Sequence, residues 1–135
     1  MIILSQQTAT VWGLGGVDLP TKTTLAISHT HINNTTEQDI TDLLFEPLNL
    51  IDIDAVLDMT NITQQTIIRK LEKADGSTYE EVKKWIWPDD NDDTTNEISG
   101  ITIVGHNVDV KITMQSVVAE GSNKTVSGRK AIYTY

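Results

Sequence analysis

The segment 107–116, NVDVKITMQS, decides the fold class because its residues alternate between polar and apolar side chains. The apolar residues share one face of an extended chain, and these are Val108, Val110, Ile112 and Met114. A period of two is typical of an antiparallel strand that has one face in a core and the other in water. The segment therefore predicts a half-buried β-strand.

The same alternation recurs elsewhere in the chain. In 50–59, LIDIDAVLDM, aspartates occupy one face and apolar residues the other, namely Ile51, Ile53, Ala55, Leu57 and Met59. The segments 23–32 (TTLAISHTHI) and 129–135 (RKAIYTY) are rich in residue types that favour strands. Gly100 interrupts the apolar run ISGITIVG and indicates a bulge or a bend. Short strands separated by turn signals predict an all-β fold, a single antiparallel β-sandwich or jelly-roll-like domain over residues 1–135.

Two segments depart from this pattern. The glycine-rich WGLGGVDLP near the start is typical of a loop, so we predict an extended N-terminal arm over residues 1–22. At most one short helix is expected, within 34–47 (NTTEQDITDLLFEP). Thr35 or Thr36 is the expected N-cap of this helix, and Pro47 is expected to end it.

The stretch 69–87, RKLEKADGSTYEEVKKWIW, predicts a β-hairpin. Asp75 and Gly76 form its expected turn, because glycine tolerates the positive φ that a tight hairpin needs. Val82 and Ile86 are expected to face the core. By simple alternation, the other face of the return strand carries Tyr79, Glu81, Lys83, Trp85 and Trp87.

An aromatic face of this kind belongs to a core, to a protein interface or to a sugar-stacking platform. The charged Glu81 and Lys83 share the face, and burying them fully is unfavourable. A subunit interface with a polar rim reconciles the two demands. The predicted interface residues are Trp12, Tyr79, Trp85 and Trp87.

Composition excludes several classes of protein. The 135 residues carry a net charge of −9 and contain no cysteine, which excludes a disulfide framework and a thiol nucleophile. Residues 37–58 hold acids but no Lys or Arg. Such a surface repels phosphates, so we expect no nucleic-acid partner. The first residues, MIILSQQTATVWGLGG, contain too short an apolar run for a signal peptide or a membrane span, so we expect no membrane partner.

The histidines are the first candidate metal ligands. His29 and His31 flank Thr30 on a predicted strand, so their side chains share one face. Such a pair can chelate a metal if a third ligand arrives from elsewhere, and His106 is the other histidine of the chain. Two partly exposed histidines in a Thr-rich strand are the competing and preferred interpretation.

The acidic segment after Pro88 is the second candidate metal site. Asp89, Asn91 and Asp93 alternate as at the start of a calcium loop. The sixth position, however, is Thr94 rather than glycine, and the twelfth is a glycine rather than a bidentate glutamate. A solvated acidic loop is the preferred interpretation, and no metal is expected.

Chemistry of other kinds is not indicated. The glycines of 13–16 lack both the Lys-Ser/Thr of a phosphate loop and the third glycine of a dinucleotide fingerprint. No serine or histidine stands in a nucleophile-elbow setting. We therefore predict no catalytic residue, no cofactor and no enzymatic activity.

Three segments carry a resemblance to known proteins: 57–64 (LDMTNITQ), 68–79 (IRKLEKADGSTY) and 108–121 (VDVKITMQSVVAEG). In these the chain resembles a loose group of small β-sandwich proteins of archaeal and bacterial tailed viruses and viral metagenomes. The similarity extends from Leu57 to the C-terminus. It lies in strands and a hairpin rather than in a catalytic motif, so it transfers no functional residue.

The resemblance implies a non-enzymatic structural protein of a virion, a capsid decoration protein or another head or tail accessory subunit. The partners expected on this basis are further copies of the chain in a homo-oligomer and other virion proteins such as the major capsid protein. The expected location is the virion, after synthesis in the host cytoplasm. A carbohydrate- or receptor-binding β-sandwich module is the alternative, because indole faces stack on sugars.

Overall fold

A computed structural model describes residues 21–41, 51–73, 78–91, 95–104 and 109–134. The strands in these residues are β1 (Thr21–His31), β2 (Gln38–Asp39), β3 (Ile51–Asp58), β4 (Thr66–Lys73), β5 (Tyr79–Trp87), β6 (Glu97–Ile103), β7 (Val110–Ser116) and β8 (Lys124–Thr134).

The strands form two four-stranded antiparallel sheets. The first sheet has the order β1-β8-β3-β6, and the second has the order β2-β7-β4-β5. The pairing is nested, because β1 pairs with β8, β2 with β7, β3 with β6 and β4 with β5. Two further pairings, of β3 with β8 and of β4 with β7, complete the sheets. Eight strands rolled up in this way are a jelly roll, so the predicted all-β fold class is confirmed.

The core lies between the two sheets. Side chains of the first sheet, such as Ile53, Leu57 and Ile98, form one buried cluster with side chains of the second, such as Ile68 and Ile112. Apart from Thr113 of β7, which is also buried, these strands alternate as the sequence predicts. In β7, Val110, Ile112 and Met114 are buried, whereas Lys111 and Gln115 are only half-buried. In β3, Ala55 and Leu57 are buried and Asp54 is exposed.

Gly100 lies in a bulge, as the sequence predicts. Ala55 of β3 is opposite Ile101, but Leu57 is opposite Ile98, so Ser99 and Gly100 of β6 share one position of the partner strand. Gly100 has φ +77°, a backbone conformation that residues other than glycine rarely adopt. The bulge therefore needs a glycine here.

The predicted helix start is wrong. Thr35 and Thr36 lie in bends, and Gln38–Asp39 form β2, paired with Met114 and Thr113 of β7. Ile40 follows the strand and its amide donates to the carbonyl oxygen of Ile112, 2.9 Å away. Pairing with a distant strand thus outweighs the local helix signal. Residues 42–47 of the predicted helix lie outside the described part of the chain.

The predicted faces of the hairpin are wrong as well. Lys70 pairs with Lys83, but Leu71 pairs with Glu81, so Val82 has no opposite residue. Such a β-bulge reverses the alternation at that point. It separates the aromatic residues, because Trp85 lies on the buried face and Tyr79 on the outer face. Val82, which was expected in the core, is 54% exposed. The expected Asp75–Gly76 turn lies outside the described residues.

Most of the predicted N-terminal arm also lies outside the described residues. Its last two residues, Thr21 and Lys22, are the first residues of β1 and pair with Thr134 and Tyr133. The arm as such stays a prediction.

We expect Ile112→Ala to lower the free energy of unfolding by about 2–5 kcal/mol, because it removes methylenes and leaves a cavity in the core. Ile112 is fully buried. The neighbouring Lys111→Ala should change stability by no more than about 0.5 kcal/mol. Urea denaturation of both variants measures the difference, and equal effects would contradict the assignment of the two faces of β7.

Candidate functional site

Two histidines form the centre of a buried polar cluster at the end of β1. His29 and His31 face the interior of the sandwich, on the same side of the strand as the buried Ile27. His31 is fully buried, and its Nε2 lies 2.5 Å from the hydroxyl oxygen of Ser116 at the end of β7. The prediction that His29 and His31 share one face is borne out by their ring centroids, which lie 6.0 Å apart.

Burial disfavours the charged form of both imidazole rings. Burial lowers the pKa of His29, against a smaller opposing effect of a hydrogen bond with the Gln38 side chain. Burial also lowers the pKa of His31; repulsion from His29 adds to this, and the charge of Glu120 opposes it. Two buried nitrogens, His29 Nε2 and His31 Nδ1, have no hydrogen-bond partner.

Glu120 anchors the loops beside the histidines. Its carboxylate accepts hydrogen bonds from the backbone amides of Thr63 (3.0 Å) and Gln64 (2.9 Å) and from the Thr63 hydroxyl (2.8 Å). Burial by itself would raise the pKa of Glu120, but these hydrogen bonds and the nearby His31 together lower it. Glu120 thereby fastens the β7–β8 loop to the segment before β4.

A third loop joins the same end of the sandwich. The backbone amide of Gly121 donates to the side-chain oxygen of Asn33 at 2.8 Å. The backbone amide of Asn33 in turn donates to the side-chain oxygen of Asn123 at 3.0 Å. Asn61 donates from its side chain to the carbonyl oxygen of Thr125, 3.0 Å away. The asparagines therefore connect loops that the sequence leaves far apart.

The other candidate ligands do not converge with the histidines. Asp89 is exposed, Asn91 is half-buried, and Asp93 and His106 lie outside the described residues. The adjacent Asp90 accepts a hydrogen bond from the amide of Ile86 at 2.7 Å, which closes the end of β5. Across the described ranges, no group of three His, Cys, Asp or Glu side chains could hold a metal ion.

The aromatic residues fall into two environments. Trp85 and Trp87 are only 6% and 7% exposed and belong to the core of their own chain. Trp87 also donates from its indole nitrogen to the carbonyl oxygen of Ile62 at 3.3 Å. Neither indole is available at the surface of a single copy, so the predicted interface role of Trp85 and Trp87 is wrong. Trp12 lies outside the described residues.

Tyr79 is the aromatic residue of the predicted set that stays at the surface, 37% exposed. The ammonium groups of Lys73 and Lys111 each lie 5.0 Å from the centroid of its ring. Cations over an aromatic face are attracted to it. Its role in an interface stays a prediction.

Sequence reasoning missed the exposed edge that β1 forms. β1 pairs with β8 over eleven residues without a register shift, and its other edge is the border of the first sheet. Residues 21–26 are exposed on both faces, and Leu25 is 43% exposed. The other border strands described are blunted, since β2 has two residues and β5 and β6 carry bulges. The clue in the sequence was that 21–31 is largely polar and contains no glycine or proline that would signal a bulge.

A shallow groove crosses the outer face of the first sheet. Two adjoining depressions share Asp54 and Tyr133; Thr102 lines one, and Thr24 and Arg129 line the other. The ammonium of Lys22 lies 5.9 Å from the centroid of the Tyr133 ring. The groove thus combines one aromatic ring with hydroxyls and both signs of charge.

The comparisons with known proteins establish the fold. No protein-family model and no curated protein matches the chain. A solved structure that does match carries the description "Bacillus endospore appendages form a novel family of disulfide-linked pili". The two chains are 16% identical, with a TM-score of 0.52, and the match covers 94% of this chain and 98% of that chain. At this identity the likeness shows a shared all-β fold. Within the described ranges, no helix has the length and apolar character to cross a bilayer.

We expect Glu120→Gln to lower stability at neutral pH by about 1–3 kcal/mol, the range for hydrogen bonds to a charged group. The folded-state pKa of Glu120 is lowered, so its contribution is full above the unfolded value near 4.5 and is lost as the pH falls through the folded value. Urea denaturation at pH 7 and pH 3 should therefore show a difference from wild type that shrinks in acid. Glu80→Gln, at an exposed position of β5, is the control. A difference that is the same at both pH values would contradict this role.

We expect Trp85→Ala to lower the free energy of unfolding of the monomer by about 3–5 kcal/mol, because it empties a large core site. Tyr79→Ala, on the other side of the bulge, should cost much less, within about 0.5 kcal/mol. Chemical denaturation at low protein concentration compares the two. Comparable losses would mean that the bulge does not separate their environments.

Proposed function

We propose that this chain is a non-enzymatic structural subunit that self-associates into a larger assembly through the outer edge of β1, which no other described strand covers. The observation that carries the proposal is the length and exposure of this edge. An unpaired strand edge offers a row of backbone donors and acceptors to another strand. β1 has eleven residues in regular register with β8, which makes it longer than most strands.

The features around the edge support this use. Natural proteins blunt unused edges with bulges, prolines, charges or very short strands. β1 has one charged residue, Lys22, and neither a proline nor a bulge. The pilus-forming appendage protein of the same fold gives support of a second kind. Copies of these 135 residues cannot be joined by the disulfides named for that protein, because they contain no cysteine.

The more specific form of the proposal is a virion component, a capsid decoration protein or a head or tail accessory subunit. It is supported by the resemblance of 57–64, 68–79 and 108–121 to small virion proteins. These segments hold the end of β3, most of β4 with the first residue of β5, and the whole of β7. The major capsid protein is then the second partner, and the virion the location. Mass spectrometry of purified particles tests this form, and a protein found only free in the host cytoplasm would contradict it.

A carbohydrate-binding module is the second candidate. Its support is now the groove at Tyr133 rather than the buried indoles, because an aromatic ring beside carboxylates and hydroxyls is suited to a sugar. Binding on a glycan array that is lost in Tyr133→Ala and kept in Tyr79→Ala would favour it over the structural role.

We expect Leu25→Lys to abolish self-assembly and to leave the fold intact. A lysine at this position adds a charge to the free edge, and the site is exposed enough to accept it in the folded monomer. Val82→Lys is the matched control, since Val82 is also exposed but lies at the bulge of β5. Negative-stain electron microscopy and light scattering measure assembly, and circular dichroism checks the fold.

Two outcomes would contradict the proposal. Wild-type protein that stays monomeric up to millimolar concentration would remove self-association as the function. Assembly that survives in Leu25→Lys but fails in Val82→Lys would move the contact from β1 to the opposite edge of the sandwich.

A further inference from the structure

The contact through β1 uses one edge of the sandwich and leaves its two broad outer faces without a role. These faces differ in charge. Six of the ten Lys and Arg residues of the chain lie in β4, β5 and β7 of the second sheet. β3, in the middle of the first sheet, carries three aspartates and no Lys or Arg. The positive charge of a chain with net charge −9 is therefore concentrated in one sheet.

Lysines on the outer face of the second sheet lack carboxylate partners. Lys73 of β4, Lys84 of β5 and Lys111 of β7 lie opposite to the buried face of their strands. Within the described residues, none of the three takes part in an ion pair. Lys73 and Lys111 instead place their ammonium groups 5.0 Å from the centroid of one ring, that of Tyr79. Both ammonium groups can therefore still bind a carboxylate.

Two carboxylates of the same face are already bound to its arginine. Glu37 and Glu81 contact the guanidinium of Arg69 at 3.5 and 3.2 Å. Asp39, at the border of the face, accepts a hydrogen bond from the backbone amide of Thr41 at 2.9 Å. The charge of the three lysines is thus left to be balanced from outside the sheet.

The outer face of the first sheet has the opposite character. Asp54 of β3 is exposed and takes part in none of the ion pairs among the described residues. It lines both depressions of the groove together with Tyr133, and Val104, which is 65% exposed, lines one of them. Arg129 in the same groove is neutralised by Glu97, 2.8 Å away. A carboxylate in a depression beside exposed apolar surface is suited to receive a projecting lysine.

We propose that the outer face of the second sheet docks on the outer face of the first sheet of another copy, with Lys73 and Lys111 against Asp54. Complementary charge brings the two faces together and sets their orientation. The contact joins two different faces, so it is heterologous and repeats from copy to copy. It rests on the proposed self-assembly, in which β1 forms rows of copies and this contact joins the rows side by side. A weak contact is sufficient there, because it is repeated along each row.

Carbodiimide cross-linking tests the contact, because the reagent joins a carboxylate to an amine only where the two groups touch. Asp54 and the lysines lie on opposite outer faces, separated by two sheets packed about 10 Å apart. A link from Asp54 to Lys73 or Lys111 must therefore join two copies. We expect this link, identified by mass spectrometry of the digested chain, in the wild type and in concentrated Leu25→Lys, which lacks the β1 contact. Its yield should fall as salt is added.

Charge reversal gives the matched variants. Lys111→Glu should lower the yield of the Asp54–Lys73 link about tenfold or more, because it places like charges opposite each other. The triple variant Lys73→Glu, Lys111→Glu and Asp54→Lys reverses both sides, so a link should form again between position 54 and position 73 or 111. Lys83→Glu is the control, since it makes the same charge change on the other face of β5 and should leave the yield unchanged.

Three results would overturn the inference: no Asp54 link to either lysine in both proteins, lysines linked to a carboxylate of another surface instead, or an equal loss of yield in Lys83→Glu and Lys111→Glu. A failure of the proposed function has a different signature. In that case the wild type forms no rows by negative-stain electron microscopy, whatever links Asp54 makes.

Discussion

The pairing of the first strand with the last is the constraint on which the rest of the structure depends. β8 lies between β1 and β3, and its register with both strands is unbroken over their paired residues. Gly128 permits this close approach, because a Cβ atom at that position would lie 2.2 Å from the carbonyl oxygen of Val56. The pairs β2–β7, β3–β6 and β4–β5 lie inside the β1–β8 pair along the chain. The two sheets then bury their apolar faces against each other.

The nested pairing also determines which edges remain. Four of the described strands border the two sheets, and three of these are interrupted or very short. The bulge of β5 moves Tyr79 to the outer face and keeps Trp85 inside, so the large apolar surface of the indoles stabilises the monomer. Among the described border strands, β1 is the long and regular one.

The sequence predicted the parts of the fold that depend on local alternation. The strands β3 and β7 and the bulge at Gly100 follow from period two and from one glycine. The faces of β5 could not be read in this way, because the bulge at Val82 is defined by the residue that β4 skips. β2 was missed for a related reason. Its two residues are a strand because β7 pairs with them, and their local sequence favours a helix start.

The candidate site shows the same limit and has the same physical origin. The shared face of His29 and His31 follows from their spacing, but Ser116 is 85 positions from His31 along the chain and is brought there by the nested pairing. β2 lies at the border of the second sheet, beside the end of β1, where Gln38 bonds His29 and accepts from the amide of Ile32 at 2.9 Å. Along β1, His31 is buried, His29 is half-buried and Leu25 is exposed. The surroundings of the two histidines therefore come from residues that are distant in sequence, and the local sequence of β1 could not show them.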